Sequence, residues 1–145
     1  MLNISHYKII AIGKIKKKWI QEGIEMYLKR LPSLEVIEIK DNIQTKEEHL
    51  IKEIISKNEI LVTLNENGQS FTSKQLATKL LNSHNQNITF VIGGASGLSP
   101  SLNKFASWQF SLSPLTFPHE LARLLLIEQL YRAKTITQGG PYHKE

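Results

Sequence analysis

At 145 residues and 16.5 kDa, the chain suits one domain around a single core and leaves no room for a separate substrate-binding domain. Its 41% hydrophobic and 21% charged residues exclude the disordered and fibrous classes, and a formal charge of +5 with a pI near 9.4 favours a polyanionic partner. The absence of cysteine excludes disulfides, thiolate nucleophiles and Cys-ligated zinc together.

The five histidines are scattered without metal-type spacing, so no metal is expected. No segment approaches the roughly 18 apolar residues of a membrane span. Met1 is not followed by a charged n-region and a long apolar run. A cytoplasmic chain without membrane contact is the expectation.

In chain order, apolar runs alternate with helical patterns, the signature of a parallel sheet flanked by helices, an α/β fold in one domain. His6 to Ile12 reads as a strand buried on both faces. A helix follows from about Lys18 to Arg30, with Trp19, Ile20, Ile24, Tyr27, Leu28 and Leu31 recurring at three and four, and Pro32 stopping it. Leu34 to Ile39 alternates apolar and polar residues, as a half-buried strand toward a sheet edge does. Thr45 to Ser56 is a charged helix. Glu59 to Asn65 is a strand that breaks at Asn67 and Gly68, after which Ser73 is expected to cap a helix through Leu81.

The next strand, Ile88 to Ile92, runs out into Gly93, Gly94, Ala95, Ser96 and Gly97. Ser99 and Pro100 then form an N-cap and first-position pair for a short helix. Glycines after an apolar strand let backbone come close to a ligand, and they equally suit a tight strand-to-helix turn. The G-G-A-S-G spacing is not the G-x-G-x-x-G of a dinucleotide site, and the first turn, Gly13 followed by Lys14, lacks the further glycines as well. A nicotinamide dehydrogenase is therefore set aside.

Trp108 to Leu112 is the last strand, and Ser113 to Pro118 leads into a long helix from about His119 to Lys134. The loop LSPLTFPH is apolar where a surface loop is ordinarily polar. It can grip a flat purine ring with free backbone groups at the ring's edge, or it can be a buried crossover. His119 at the helix start reads as a capping or packing residue, with action on a ligand as the alternative. Leu121, Leu124, Leu125, Leu126, Ile127 and Leu130 cover more than one helix face. Such a helix is expected to form a homodimer seam or to lie wholly inside the fold. Its few polar members include Arg123, Glu128, Gln129 and Arg132, which need partners or a ligand in such surroundings.

The stretches FVIGGASGLSP (90–100), SLSPLTFPHELARLLLIEQLYRA (111–133) and PYHKE (141–145), together with AIGKIKKKW (11–19), resemble the ribosomal RNA large subunit methyltransferase H family, small members of the knotted SPOUT methyltransferases. The resemblance implies an S-adenosylmethionine-dependent enzyme that methylates N3 of a pseudouridine in the helix 69 loop of bacterial 23S rRNA within the ribosome. It also implies a C-terminal trefoil knot, an exception to the rule against threaded chains. Cofactor contacts would fall to Leu64, Gly93, Leu112, Ser113, Pro114, Leu115, Thr116 and Phe117. The tail residues Tyr142, His143 and Glu145 would lie near the methyl-transfer site, against the partner subunit of a homodimer.

Within that reading His143 is the candidate proton acceptor, and Arg132 the group that stabilises an imide anion or grips a phosphate. Glu128 would orient either of them, and Tyr142 would stack on the extracted base. Lys14, Lys16, Lys17 and Lys18, with Lys134 and Lys144, are the candidate RNA grip; a solvated turn is the plain alternative for the lysine run. The segment from Asp41 to Glu59 is shorter than in many relatives.

Overall fold

A computed structural model describes residues 1–144; Glu145 lies outside the described residues. After a short 3-10 turn at Ile4–His6, the elements are β1 (Tyr7–Ile12), α1 (Lys18–Arg30), β2 (Glu35–Ile39), α2 (Gln44–Ile54), β3 (Ile60–Ser70), α3 (Ser73–Leu81), β4 (Ile88–Ile92), α4 (Pro100–Phe105), β5 (Trp108–Ser111) and α5 (His119–Thr137). The five strands form one sheet in the order β2-β1-β4-β3-β5. Every pairing is parallel.

Side chains of a strand point alternately to opposite faces, so β1 feeds two cores. Ile9 and Ala11 join α1, α3 and α5 through Ile20, Ile24, Leu76, Leu80, Leu126, Ile127 and Leu130. Ile10 and Ile12 join α2 and α4 through Ile51 and Leu102 on the other face. The five residues of β4 are all buried, as its unbroken apolar run requires. β2 lies at the sheet edge and is only half-buried, in agreement with its alternating sequence.

Two local features differ from the expectation. The N-cap of α3 is Thr72, one residue before Ser73: its hydroxyl accepts from the Gln75 backbone N–H at 3.1 Å, and the Gln75 side chain accepts from the Thr72 N–H at 2.9 Å. The glutamine three residues on closes a capping box for Thr72 and for no other hydroxyl there. Thr72→Ala is expected to lower unfolding free energy by about 1 kcal/mol in chemical denaturation. The second difference is β3, which continues past Asn67 and Gly68. Its ladder with β5 is interrupted between Leu64 and Gln69, and both of these pair with Phe110. The residues between them bulge out of the ladder, which re-aims their side chains.

α5 packs against both α1 and α3. Arg123, 3% exposed, ties this helix to the far edge of the sheet, donating to Glu38 of β2 at 2.5 Å and to the Gly13 carbonyl at 2.9 Å. A guanidinium carries enough donors to satisfy a carboxylate and a carbonyl at once, which is how so apolar a helix accommodates a buried charge.

Candidate active site

The bulge of β3 at Leu64 to Glu66, the carboxyl end of β4 and the loop after β5 enclose a cleft of about 790 Å³, within the size range of small-molecule sites. One wall is the Gly-rich exit of β4. A side chain at Gly93 would place its Cβ 2.8 Å from the Gly97 carbonyl carbon and 3.0 Å from the Leu98 nitrogen, so the loop can fold back on itself only because position 93 has none. Gly97 completes the turn at φ +72°, with its N–H bonded to the Gly94 carbonyl at 3.0 Å. Gln44 of α2 braces the loop by donating to the Ser96 carbonyl at 3.0 Å.

The facing wall is the loop between β5 and α5. Ser113 accepts from the Leu115 N–H at 3.1 Å, a local turn that leaves Leu115 70% exposed. The Thr116 hydroxyl donates to the Glu66 carboxylate at 2.5 Å, and the Ser111 hydroxyl donates to the Glu66 carbonyl at 3.0 Å. These two bonds fasten the bulge of β3 to the β5–α5 connection. Leu64, Gly93, Leu112, Ser113, Leu115, Thr116 and Phe117 all line this one cleft, whereas Pro114 is not in its lining. Glu66 and His119 line it too. Glu66 was missed because its aim is set by pairing with a strand far along the chain. Of the readings open for His119, the structure does not give the cap, since its side chain makes none and Pro118 occupies the N-cap position; its place in the cleft lining accords with the alternative of action on a ligand.

The tail lies at the other end of α5. Glu128 accepts from Arg132 Nε at 2.9 Å and from Nη2 at 2.6 Å, and from the Tyr142 hydroxyl at 3.1 Å. Arg132 Nη1 stands 3.1 Å from His143 Nδ1. A guanidinium only donates, so Nδ1 is the acceptor and the ring's proton sits on Nε2. As placed, His143 presents a donor outward. Tyr142 also contacts the Tyr27 hydroxyl at 2.9 Å, its ring packs edge-on to Tyr131, and the Arg132 guanidinium lies 4.7 Å from its centroid. Burial, with the Tyr27 hydroxyl and the Glu128 carboxylate beside it, pushes the Tyr142 phenol well above its ordinary range. Hydrogen bonding to Glu128 raises Arg132.

Tail and cleft are thus two separate groups within the chain. From Ala122 at the cleft to Arg132 at the tail, the helix rises roughly 15 Å at about 1.5 Å per residue. Lys14, Lys16, Lys17 and Lys18 are exposed in the turn after β1, beside the exposed Trp19. That turn is anchored to the start of α5: Glu120 accepts from the backbone N–H groups of Lys16 at 2.7 Å and Lys17 at 3.1 Å. The Lys17 N–H above all, together with that of Lys16, holds the Glu120 carboxyl below the usual carboxylate range. Among the described residues, no group of three or more His, Asp or Glu is placed to hold a metal ion, and no helix is long and apolar enough to cross a membrane.

Residues 5–143 match the family described as "Predicted SPOUT methyltransferase". The chain is 91% identical over 145 residues, covering 100% of both sequences, to ribosomal RNA large subunit methyltransferase H of Prochlorococcus marinus strain NATL2A. It is 53% identical to the protein of the same name from P. marinus strain MIT 9211 over 144 residues, 99% of each chain. The chain belongs to the ribosomal RNA large subunit methyltransferase H family.

Solved structures share the fold of this family member at low sequence identity. A probable methylase family protein from Haemophilus influenzae Rd KW20 superposes with a TM-score of 0.65 at 11% identity, over 99% of this chain and 72% of that one. The SpoU methyltransferase AviRb from Streptomyces viridochromogenes gives a TM-score of 0.51 at 11% identity, over 96% and 63%.

Proposed function

We propose that this chain uses S-adenosylmethionine to methylate N3 of a pseudouridine in the helix 69 loop of 23S rRNA, acting in the cytoplasm on assembled ribosomes. The observation that carries the cofactor reading is the convergence of Leu64, Gly93 and the 112–117 loop, Pro114 excepted, on one cleft whose lining among the described residues lacks lysine and arginine. Leu64, Leu112, Leu115 and Phe117 offer apolar surface to a purine ring, and backbone groups of the same loop offer hydrogen bonds to its edge. The close packing that only glycine permits at position 93 leaves this wall as bare backbone against a ligand. The chain's C-terminal passage through this loop into α5 is proposed to be the threaded part of a trefoil knot.

When bound, the cofactor supplies an electrophilic methyl group on a sulfonium, so the protein's main tasks are alignment and removal of the imide proton. We place the tail of one subunit over the cleft of its partner in a homodimer. This accounts for the separation of the two groups within a protomer and for the apolar breadth of α5. Glu128 fixes the Arg132 fork through two hydrogen bonds. Arg132 and the Nε2–H of His143 then face the acceptor base as donors, suited to the charge that gathers on the imide carbonyls as N3 loses its proton to water; with Nδ1 engaged by Arg132, His143 serves in this arrangement as a donor and not as the proton acceptor expected from the sequence. The Tyr142 phenol, held protonated by its surroundings, offers a ring face for stacking. The exposed lysines at 14 and 16–18, with Lys134 and Lys144, provide the sequence-independent hold on phosphate.

The test is transfer of labelled methyl from S-adenosylmethionine to 70S ribosomes lacking this modification, beside isolated large subunits and free 23S rRNA, with mapping of the labelled nucleotide. Label on the helix 69 pseudouridine with 70S particles alone is the expected result. Label on another RNA would overturn the substrate assignment, and binding without transfer to any of the three would leave a non-catalytic ribosome factor.

A further inference from the structure

Among the described residues, Glu66 is the one carboxylate in the lining of the cleft, which holds no described lysine or arginine to neutralise it. It sits two residues beyond Leu64, in the segment that bulges from the β3–β5 ladder. Its carbonyl is held by Ser111 and one carboxylate oxygen by Thr116. Thr116 itself lies between Leu115 and Phe117, apolar members of the same wall. The carboxylate is therefore fixed at the polar lip of the apolar slot, with its second oxygen making no hydrogen bond among the described residues and the side chain open to solvent.

We infer that Glu66 is the specificity-determining residue for the sugar of the cofactor, accepting hydrogen bonds from the vicinal hydroxyls of the ribose. The inference rests on the cofactor reading proposed above. In S-adenosylmethionine the group next to the purine is the ribose, and the sulfonium lies one sugar further on; a carboxylate held at the edge of the ring slot meets the sugar first. A carboxylate has two acceptor oxygens and four lone-pair sites. The Thr116 hydroxyl uses one site and leaves enough for two ribose hydroxyls. Acidic side chains at the carboxyl end of a parallel strand serve this purpose in nucleotide-binding α/β folds. Thr116 is then a positioning residue, whose hydroxyl keeps the carboxylate from turning out to solvent.

The experiment is calorimetric binding to the full-length protein of four ligands: S-adenosylmethionine, S-adenosylhomocysteine, and the 2′-deoxy and 3′-deoxy forms of the latter. A site built to pair with a hydroxyl rejects the analogue that lacks it, because the protein group is left without its partner. The wild type is expected to bind each deoxy analogue about tenfold more weakly than S-adenosylhomocysteine. Glu66→Gln is expected to weaken both full ligands by a similar factor and to bind the deoxy analogues almost as well as S-adenosylhomocysteine. Thr116→Val, which leaves Glu66 in place but unheld, is expected to reduce the discrimination about threefold.

Wild-type discrimination retained in Glu66→Gln overturns the inference. So does loss of S-adenosylmethionine affinity with S-adenosylhomocysteine affinity intact, which would put the carboxylate at the sulfonium instead. A wild-type protein that binds neither full ligand overturns the cofactor reading itself, and the role of Glu66 falls with it. Matched thermal melting of the variants and wild type separates loss of the contact from loss of the fold.

Discussion

Arg132→Ala is expected to lower the rate of methyl transfer to 70S ribosomes by about 10²–10³-fold while leaving cofactor affinity within about twofold of wild type, the effect typical of removing a donor that serves developing negative charge. The affinity is spared because Arg132 lies roughly 15 Å along α5 from its own cleft. The rate falls for two reasons. The guanidinium is the candidate donor to the imide carbonyls, and it also holds His143 through Nδ1, so its loss frees the imidazole to change tautomer and position. Arg132→Lys keeps the charge but loses the fork that meets Glu128 and His143 together, and it is expected to recover only a small part of the rate.

The pH dependence separates this role from a structural one. As pH rises toward the ionisation of the imide, the acceptor becomes an anion without help, and the deficit of Arg132→Ala is expected to shrink. A deficit that stayed constant with pH would assign Arg132 to holding the tail alone. Single-turnover rates across pH, with calorimetry for the cofactor, make the measurement.

Gly93→Ala is expected to weaken S-adenosylmethionine binding by about 10–100-fold, on the order of the 1–3 kcal/mol that overpacking costs. The added methyl would stand 2.8 Å from backbone carbon and 3.0 Å from backbone nitrogen. Backbone cannot swing aside as the end of a flexible side chain can. The loop from Gly94 to Leu98 must open, which pulls its carbonyls from Gln44 and displaces one wall of the cleft. Gly97→Ala makes the informative contrast: nothing lies within 4 Å of its added Cβ, yet its φ of +72° is a conformation that side chains disfavour. It is expected to cost about 1 kcal/mol of stability and less affinity than Gly93→Ala. Calorimetry and thermal melting of both variants check the pair.

Much of this architecture is legible along the chain because its signals are local. The apolar run of Ile88–Ile92 announces a strand buried on both faces, the alternation of Leu34–Ile39 an edge, and Ser99-Pro100 the start of α4; each matches the structure. The Thr72 cap was equally local, and the glutamine at 75 was the signal that distinguished it from Ser73. Other features depend on partners far away in sequence. Asn67 and Gly68 look like the end of a strand, but the ladder with β5 resumes at Gln69, and only that pairing directs Glu66 into the cleft. Glu120 caps nothing in its own helix and instead holds a turn more than a hundred residues earlier. No periodicity carries that information. The positions around the cleft rest on family resemblance, and the structure adds that all of them but Pro114 line one cavity. The distance between that cavity and the tail is a property of the folded helix.

That distance makes α5 a ruler. Its 19 residues carry a cleft wall at one end and, near the other, Glu128 and Arg132, which hold Tyr142 and His143 of the tail, on a single rigid element with no proline or glycine inside it. One residue inserted between Ala122 and Glu128 would advance the tail by about 1.5 Å and turn it by about 100° around the helix axis. Every side chain named in the site would survive such an insertion, and the site would not. The length and phase of this helix thus matter to the proposed site as much as the identity of any residue on it.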